Sequence, residues 1–357
     1  MTPLLMSYPI SVAILYTTYD PDTVEVATQM KEALMSRGHK VRMFETTARN
    51  WKKALRVPGD VVINWIEDEN TGWKLWVKVA RHLELLHRAQ LGVNSRAVQY
   101  SLSKIKMKRR LMLLRLATPS FRVIRKHGNI ANFRGLNYPL IVKPAGEHAS
   151  VGISQDSVVI DHKEMADQAK YLFKKHGGEV LVEEFLEGPE LHVTVIGNKN
   201  RTVPLPYVQV NFRGEYADNW EVLTFNAKWN DRTWEYWDSP LVCPVILSKN
   251  IMIAIDNLVK RAFKILNCVD VVRFDIRLDN KNRPYIIDLN LNPHLGHFDQ
   301  SESWRSAKAL GWSYAELIET LVAISYKRHF KKLPDRMRER QFLLAGLDSL
   351  SESHKIK

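Results

Sequence analysis

The sequence is poor in the residues that hold small secreted domains together. It contains only two cysteines, Cys243 and Cys268, in 357 residues. Two distant cysteines exclude a disulfide framework and a CxxC metal or redox pair, and they fit a reducing compartment. Glycine (16) and proline (15) are too few for a collagen-like or low-complexity chain. We therefore expect a folded protein of the cytoplasm.

Long apolar runs and early positive charge are also missing. No apolar stretch approaches the roughly 18 residues that indicate a membrane span. No Lys or Arg precedes Lys31, so the N-terminus lacks the charged beginning of a signal peptide. The sequence thus predicts a soluble protein with no membrane partner.

Positive charge is in excess, with 52 Lys and Arg against 39 Asp and Glu, a net charge of +13. This excess suits nucleic acid, an anionic membrane surface or a phosphate-bearing ligand, and the sign alone does not choose among them. At about 150 residues per domain, the length predicts two to three domains.

Apolar strands alternate with amphipathic helices in the first part of the chain. This alternation predicts a small parallel sheet covered by helices, in an N-terminal α/β domain at residues 1–95. The predicted strands are 10–16, 40–44 and 61–65, and the predicted helices are 24–37 and 73–88.

Strands and helices mix without strict alternation in the rest of the chain, which indicates α+β domains. We predict a central domain at 96–182, a C-terminal domain at 183–330 and a basic polar tail at 331–357. The predicted strands are 121–125, 139–142, 153–160, 179–183, 190–196, 202–210, 271–278 and 284–290, and the predicted helices are 103–116, 163–175 and 249–266.

The most informative segment is the predicted hairpin of residues 271–290. Alternation along a strand places Arg273 and Asp275 on one face, and Asp288 and Asn290 on one face of the partner strand. If the two faces coincide, three oxygen ligands and an arginine converge, a set that suits Mg²⁺ bound to nucleotide phosphates. A charged face exposed to solvent is the alternative.

Two further segments carry candidate nucleotide contacts. The strand that ends at Lys143 leads into a loop with Gly146 and Gly152, where backbone N–H groups can approach phosphate, although the pattern is not a Walker motif. The apolar strand 179–183 continues into an acidic connector that offers backbone groups to a purine and a carboxylate to ribose. A plain hairpin and an acidic turn are the alternatives.

The order of these three segments resembles the ATP-grasp superfamily, and most closely the D-alanine–D-alanine ligase family. The resemblance extends to about residue 330 and is strongest over 106–292. It implies an α/β protein with the ATP-grasp fold, in which the central and C-terminal α+β domains clamp ATP. It also implies two Mg²⁺ ions, with Mn²⁺ as a substitute, and a small-molecule acceptor and an amino acid as substrates. A homodimer is what the family suggests.

The resemblance also implies roles for individual residues. Lys106 and Lys143 match the lysines that bind the α and β phosphates, Lys228 matches the lysine on the γ phosphate, and Arg273 matches the arginine that steadies an oxyanion. The implied metal ligands are Asp275, Asp288 and Asn290, with aspartate at 288 where the family usually has glutamate. The other implied ATP-binding residues are Ser150, Gly152, Glu183, Glu184, Phe185, Leu186 and Glu190.

The family's D-alanine site is altered. The N-terminal glutamate that holds the substrate amine is missing from the matching residues 15–20, and its serine and tyrosine partners fall at Ala149 and Trp229. Because a buried ammonium without an acceptor costs several kcal/mol, roughly, this loss argues against D-alanine as the first substrate. The candidate substrate residues are Trp229, Asn292, His294, His297 and Asp299.

Two observations near this site leave alternatives open. His294 and His297 suggest zinc, but without further ligands at metal spacing they fit pocket or surface residues better. Four tryptophans cluster between residues 220 and 237; most are expected to pack the C-terminal domain, whereas Trp229, beside Lys228, is expected to line the pocket.

Three functions remain in competition. The first is a ligase that couples an amino acid such as serine or threonine to an activated oxygen of mycosporine-glycine, as in one branch of the family. The second is a dipeptide ligase with altered specificity. The third is a nucleotide-binding protein without ligase chemistry; direct binding of nucleic acid is disfavoured because the basic residues of 104–115 lack interleaved aromatics.

Overall fold

Three β-sheets, one after another along the chain, form the frame of the protein. The computed structural model describes residues 9–68, 73–125, 135–199 and 201–331. The predicted tail, apart from Lys331, lies outside the described residues.

The first sheet is parallel, as predicted, with the strand order β2-β1-β3-β4. Its central strands β1 and β3 are apolar and almost wholly buried, because helices cover them. The elements are β1 (Ser11–Tyr16), α1 (Pro21–Ser36), β2 (Lys40–Glu45), α2 (Trp51–Ala54), β3 (Val61–Trp65), α3 (Lys74–Leu85) and β4 (Gln90–Leu91).

The second sheet is antiparallel and has the order β5-β8-β6-β7. The prediction of a long strand over 153–160 is wrong: a 3-10 turn at 155–157 precedes a strand of two residues, since the side chain of Ser157 hydrogen-bonds back to Ser154. The elements are α4 (Ser95–Ser101), α5 (Lys104–Leu113), β5 (Phe121–Ile124), β6 (Leu140–Pro144), β7 (Val158–Val159), α6 (His162–Lys175) and β8 (Val180–Glu184).

The third sheet has six strands in the order β12-β11-β9-β13-β14, with β10 also paired to β9. The predicted strand 202–210 is in fact two strands, which are separated at 205–207. The elements are β9 (Glu190–Asn198), β10 (Arg201–Pro204), β11 (Val208–Val210), α7 (Phe225–Trp229), α8 (Trp234–Trp237), β12 (Leu241–Val242), α9 (Lys249–Ile265), β13 (Asp270–Leu278), β14 (Pro284–Asn290), α10 (Glu302–Ala309) and α11 (Tyr314–Phe330).

Helix α11, which the sequence patterns did not predict, ties the end of the chain to the first sheet. It packs against α1, and Glu319 on α11 pairs with Arg37 at 2.8 Å and with His39 at 3.1 Å. Arg328 on the same helix pairs with the buried Asp270 of β13 at 2.8 Å. Within the described ranges, no helix is long and apolar enough to cross a membrane.

Candidate active site

One cleft of about 1400 Å³ is lined by residues from all three sheets. Most of the predicted site residues line it, although the sequence places them up to 156 positions apart (143 to 299). The predicted residues in the cleft wall are Lys143, Ser150, Glu183, Glu184, Phe185, Leu186, Glu190, Lys228, Trp229, Arg273, Asp275, Asp288, Asn290, Asn292, His294 and Asp299. Lys106, Gly152 and His297 are not among the lining residues.

The structure places Lys106, the predicted phosphate ligand, outside the cleft. Lys106 is exposed to solvent, whereas Lys104 on the same helix is buried and lines the cleft. Two residues turn an α-helix by about 200°, so the two lysines point in nearly opposite directions. The Nζ atom of Lys104 lies 3.1 Å from Oδ2 of Asp288 and donates a 2.7 Å hydrogen bond to the carbonyl of Glu147. Lys104 is therefore the lysine of α5 that can meet a phosphate in the cleft.

A buried ion cluster positions Lys143 at the cleft. Lys143 on β6 pairs with Glu183 on the adjacent strand β8, and Lys108 pairs with the other oxygen of Glu183 at 2.6 Å. Burial alone would raise the pKa of Glu183, but the two lysines hold it below its ordinary value. Burial lowers the pKa of Lys108, and Lys143 is the lysine of this cluster that lines the cleft, where its charge suits phosphate.

The candidate metal ligands of the hairpin lie together in the structure. Asp275 on β13 lies directly opposite Asp288 on β14, and Arg273 lies opposite Asn290. The Nδ2 atom of Asn290 donates to Asp275 at 3.1 Å, and Arg273 donates to both oxygens of Asp275 at 2.7 and 3.1 Å. Because all four residues line the cleft, the alternative of a solvent-exposed face is excluded.

The side-chain oxygen atoms of this hairpin suit a hard cation that takes its other ligands from phosphates and water. Burial opposes ionisation of Asp288, yet the positive charge of Lys104 holds the pKa of Asp288 well below its ordinary value. Over the described residues, no group of three His, Cys, Asp or Glu side chains stands close enough to hold a metal by itself. The set of Asp275, Asp288 and Asn290 therefore fits Mg²⁺ with a bound nucleotide better than a metal held only by the protein.

The glycine-rich loop is held in place by hydrogen bonds to the segment that carries Lys228. The Oγ atom of Ser150 donates to the carbonyl of Leu223 at 2.9 Å, and the N–H of Phe225 donates to the carbonyl of Ile153 at 3.0 Å. Gly152 adopts φ +77°, and an added Cβ would lie 2.6 Å from Cγ of Pro144. Gly152 thus shapes the loop and does not line the cleft.

Trp229 joins these two segments directly. Its Nε1–H donates a 2.9 Å hydrogen bond to the carbonyl of Ala149, and its side chain lines the cleft while remaining half exposed. Two other tryptophans pack as expected: Trp220 lies edge-on to Phe185 at 5.7 Å and Trp234 lies edge-on to Tyr216 at 4.8 Å.

Part of the cleft wall near Lys143 is apolar, and we call this part the apolar slot. Phe185, Val222, Ile141 and Val158 form one buried cluster, with Ile153 and Trp220 packed against it. The side chain of Glu184 accepts hydrogen bonds from the backbone N–H and the side-chain amide of Asn137. The slot has the flat apolar character that a purine requires.

A network of buried charges that the sequence patterns missed extends from Glu190 to Arg273. The two ring nitrogens of His192 lie 3.3 Å from Glu190 and 3.1 Å from Glu302, and Glu302 lies 2.8 Å from NH1 of Arg273. Burial would lower the pKa of His192, but Asp275 and the two hydrogen-bonded carboxylates raise it to about 9. Against burial, His192 and Arg277 lower the pKa of Glu190 to about 2. The network therefore consists of charged groups at neutral pH.

The substrate candidates divide between cleft and packing roles. The His297 ring stacks on Tyr314 at 4.9 Å and meets Trp304 edge-on at 4.8 Å, so it supports the C-terminal helices from outside the cleft. Asn292 lies in the cleft wall, and its buried Nδ2 has no hydrogen-bond partner among the described residues. Burial lowers the pKa of His294, which favours a neutral ring beside Asn292.

Comparison with known proteins decides the family. The family model of the D-alanine–D-alanine ligase C-terminus matches residues 114–323. The chain belongs to the D-alanine–D-alanine ligase family. A D-alanine–D-alanine ligase of Bordetella petrii is 32% identical over 242 residues, 68% of this chain and 69% of the relative. A D-alanine–D-alanine ligase of Syntrophotalea carbinolica is 30% identical over 241 residues, 68% of this chain and 72% of the relative.

The fold agrees with this family. The crystal structure of a D-alanine–D-alanine ligase from Bacillus anthracis complexed with ATP superposes with a TM-score of 0.71 over 90% of this chain and 99% of that chain, at 17% identity. The predicted ATP-grasp fold is therefore confirmed. As a member of the family, the protein is an ATP-dependent ligase of the D-alanine–D-alanine ligase type.

Proposed function

We propose that this ligase phosphorylates an oxygen of an acceptor other than D-alanine and couples the acceptor to the amine of an amino acid. The observation that carries the proposal is the convergence of Lys104, Lys143, Lys228 and Arg273 on the cleft that also holds the Asp275–Asp288 pair. Four cations beside two carboxylates provide the positive field that phosphoryl transfer requires.

In this proposal the nucleotide lies between the second and third sheets. Its base occupies the apolar slot at Phe185, with the backbone from Glu183 to Leu186 at the purine edge and Glu190 at the ribose. Lys104 and Lys143 contact the α and β phosphates, in place of the Lys106 and Lys143 pair expected from the sequence, while Lys228 contacts the γ phosphate. Ser150 belongs to the loop above the phosphates, and its hydroxyl anchors that loop to Leu223.

Asp275, Asp288 and Asn290 would hold Mg²⁺, one or two ions, with Mn²⁺ as a substitute. The bound cation would neutralise charge on the phosphates and align their oxygens. The protein's own contribution is to keep both aspartates ionised and to hold Arg273 beside them, as the hydrogen bonds of Arg273 to Asp275 indicate.

Two steps make up the proposed reaction. The acceptor oxygen attacks the γ phosphorus, the bond between this phosphorus and the β–γ bridging oxygen breaks, and ADP leaves. The amine of the amino acid then attacks the activated carbon, the carbon–oxygen bond to the phosphoryl group breaks, and phosphate leaves with a proton lost from nitrogen. Arg273 stabilises negative charge that develops on the acceptor, and the unpaired Nδ2–H of Asn292 in the cleft wall offers a second donor.

The contact between Trp229 and Ala149 supports an acceptor other than D-alanine. These two residues occupy the places of the tyrosine and serine that the family uses around the alanine amine. Here the contact between them is an indole N–H bonded to a backbone carbonyl. Neither group leaves a side-chain oxygen for an ammonium, and the indole gives the wall a large flat surface that suits a ring-shaped acceptor.

Mycosporine-glycine, coupled to serine or threonine, is the acceptor we propose to test first. The experiment measures phosphate release from MgATP with a panel of amino acids, each alone, in pairs and with mycosporine-glycine, and identifies the products by mass. Turnover that requires mycosporine-glycine and one amino acid is the expected result. Turnover with two amino acids would establish the second candidate, a dipeptide ligase, and would exclude the ring acceptor.

Absence of turnover in every combination, together with tight binding of MgATP, would overturn mycosporine-glycine as the acceptor. The cytoplasm is the proposed location, since both cysteines are free and the proposed reaction consumes ATP. The homodimer stays a prediction from the family.

A further inference from the structure

Arg277 is a buried cation in the cleft to which the proposed reaction assigns no role. It lies on β13, two residues beyond Asp275, so strand alternation brings both side chains to the cleft face. Its side chain is only 4% exposed. Burial of an arginine is costly and requires compensation by neighbouring groups.

Neighbouring groups offset the burial of the Arg277 guanidinium only in part. One NH2 hydrogen bond goes to the carbonyl of Glu221, and the guanidinium lies over the ring of Phe185 at 4.7 Å. The Nε atom lies 3.6 Å from Oε2 of Glu190, which is an ion pair but too long for a hydrogen bond. The buried Nε–H has no hydrogen-bond partner among the described residues. Arg277 therefore holds a buried, unpaired donor beside a carboxylate oxygen.

The carboxylate of Glu190 is held in a fixed position beside Arg277. Arg277 and Glu190 are direct partners in the register of β13 and β9. The other oxygen of Glu190, Oε1, faces His192 at 3.3 Å, so the carboxylate is fixed from the far side. Oε2 of Glu190 and the Nε–H of Arg277 thus form an acceptor and a donor side by side at the edge of the apolar slot. A hydroxyl group, which both donates and accepts, satisfies both at once.

We propose that Arg277 and Glu190 together bind one hydroxyl of the nucleotide ribose, and that Arg277 thereby determines how strongly the protein selects a ribonucleotide. The hydroxyl donates to Oε2 of Glu190 and accepts from Nε of Arg277. This inference rests on the proposed nucleotide site and adds a donor to it. It requires no acceptor or amine, so it is measured by binding alone.

The test compares dissociation constants of MgATP and the magnesium complex of 2′,3′-dideoxy-ATP by calorimetry, in wild type and in Arg277→Met. The quantity of interest is the dissociation constant of the dideoxy nucleotide divided by that of MgATP, because a general loss of packing cancels from this ratio. We expect Arg277→Met to lower this ratio by about tenfold, the size of one charge-assisted hydrogen bond. The control Arg261→Met removes an exposed arginine from α9 and is expected to leave the ratio unchanged.

Arg277→Lys provides a second variant that keeps the positive charge if the methionine variant does not fold. Lysine has no Nε–H beside Glu190, so we expect the ratio to fall at least threefold, roughly. A wild-type ratio in either folded variant, or equal weakening of both nucleotides, would overturn the inference while leaving the nucleotide site intact. Failure of the wild-type protein to bind MgATP would instead overturn the proposed function, and this inference with it.

Discussion

Two lysines on one helix allow a sharp test of the phosphate site. Lys104 and Lys106 are two residues apart on α5, but Lys104 is buried at the cleft and Lys106 faces solvent. Replacement of each by methionine removes the charge and keeps most of the apolar stem. We expect Lys104→Met to weaken MgATP binding and Lys106→Met to leave it unchanged.

The expected size follows from the contacts of Lys104. A hydrogen bond to a charged group contributes about 1.5–3 kcal/mol, which corresponds to a loss of about 10- to 150-fold in affinity for MgATP. Lys104→Met also leaves Asp288 without its 3.1 Å partner. Because the side chain of Asp288 is 23% exposed, we expect a loss of about 1–2 kcal/mol in the free energy of unfolding, less than for a fully buried pair.

Calorimetric titration with MgATP gives the affinity, and urea unfolding gives the stability. Lys106→Met serves as the matched control, because exposed substitutions usually change stability by about 0.5 kcal/mol or less. The assignment of Lys104 is refuted if Lys106→Met weakens MgATP binding by tenfold or more while Lys104→Met binds like the wild type.

Three further changes are expected to act on different parts of the site. Trp229→Phe removes the hydrogen bond to Ala149, about 1 kcal/mol, and should lower kcat/KM for the acceptor about fivefold with little change in the Kd of MgATP. Asp275→Asn should lower kcat by at least about 100-fold and raise the Mg²⁺ concentration required, since it removes the charge of a carboxylate that we propose as a ligand of the cation. His192 has a folded-state pKa of about 9 against an ordinary 6.5, so its stabilisation is complete below pH 6.5 and is lost as the pH rises through 9. In the wild type, the free energy of unfolding should therefore decrease by about 3 kcal/mol between pH 6.5 and pH 9, and His192→Gln should remove this decrease.

Each of these changes has a control or an outcome that contradicts it. Trp237→Phe, also in the cleft wall, loses a hydrogen bond of the same kind, to the carbonyl of Asp231 and not to the glycine-rich loop, and should lower kcat/KM for the acceptor less than Trp229→Phe does. Asp167→Asn removes an exposed carboxylate on α6 and should leave kcat unchanged. If wild type and His192→Gln show the same slope of stability against pH, His192 is not held in its charged form.

Much of the fold and part of the site were predictable from local patterns. Strand alternation predicted which side chains share a face of each strand, and the register of the hairpin in the structure brings the faces of Asp275 and Asp288 together. The parallel first sheet followed from alternating apolar strands and amphipathic helices. Family resemblance supplied the ATP-grasp fold, which the comparison confirmed.

Tertiary structure decided the direction in which side chains point and the contacts between residues that are far apart in the sequence. The apolar and basic residues of α5 did not reveal that Lys104, and not Lys106, points inward, because the direction depends on what the helix packs against. The network of His192, Glu302 and Arg273 joins residues up to 110 positions apart, and no local period brings such residues together. Strand pairing and helix packing set these contacts, and they also place the open donor of Arg277 beside Glu190. The sequence by itself thus determined most of the elements and the family, whereas tertiary packing determined which charges meet in the cleft.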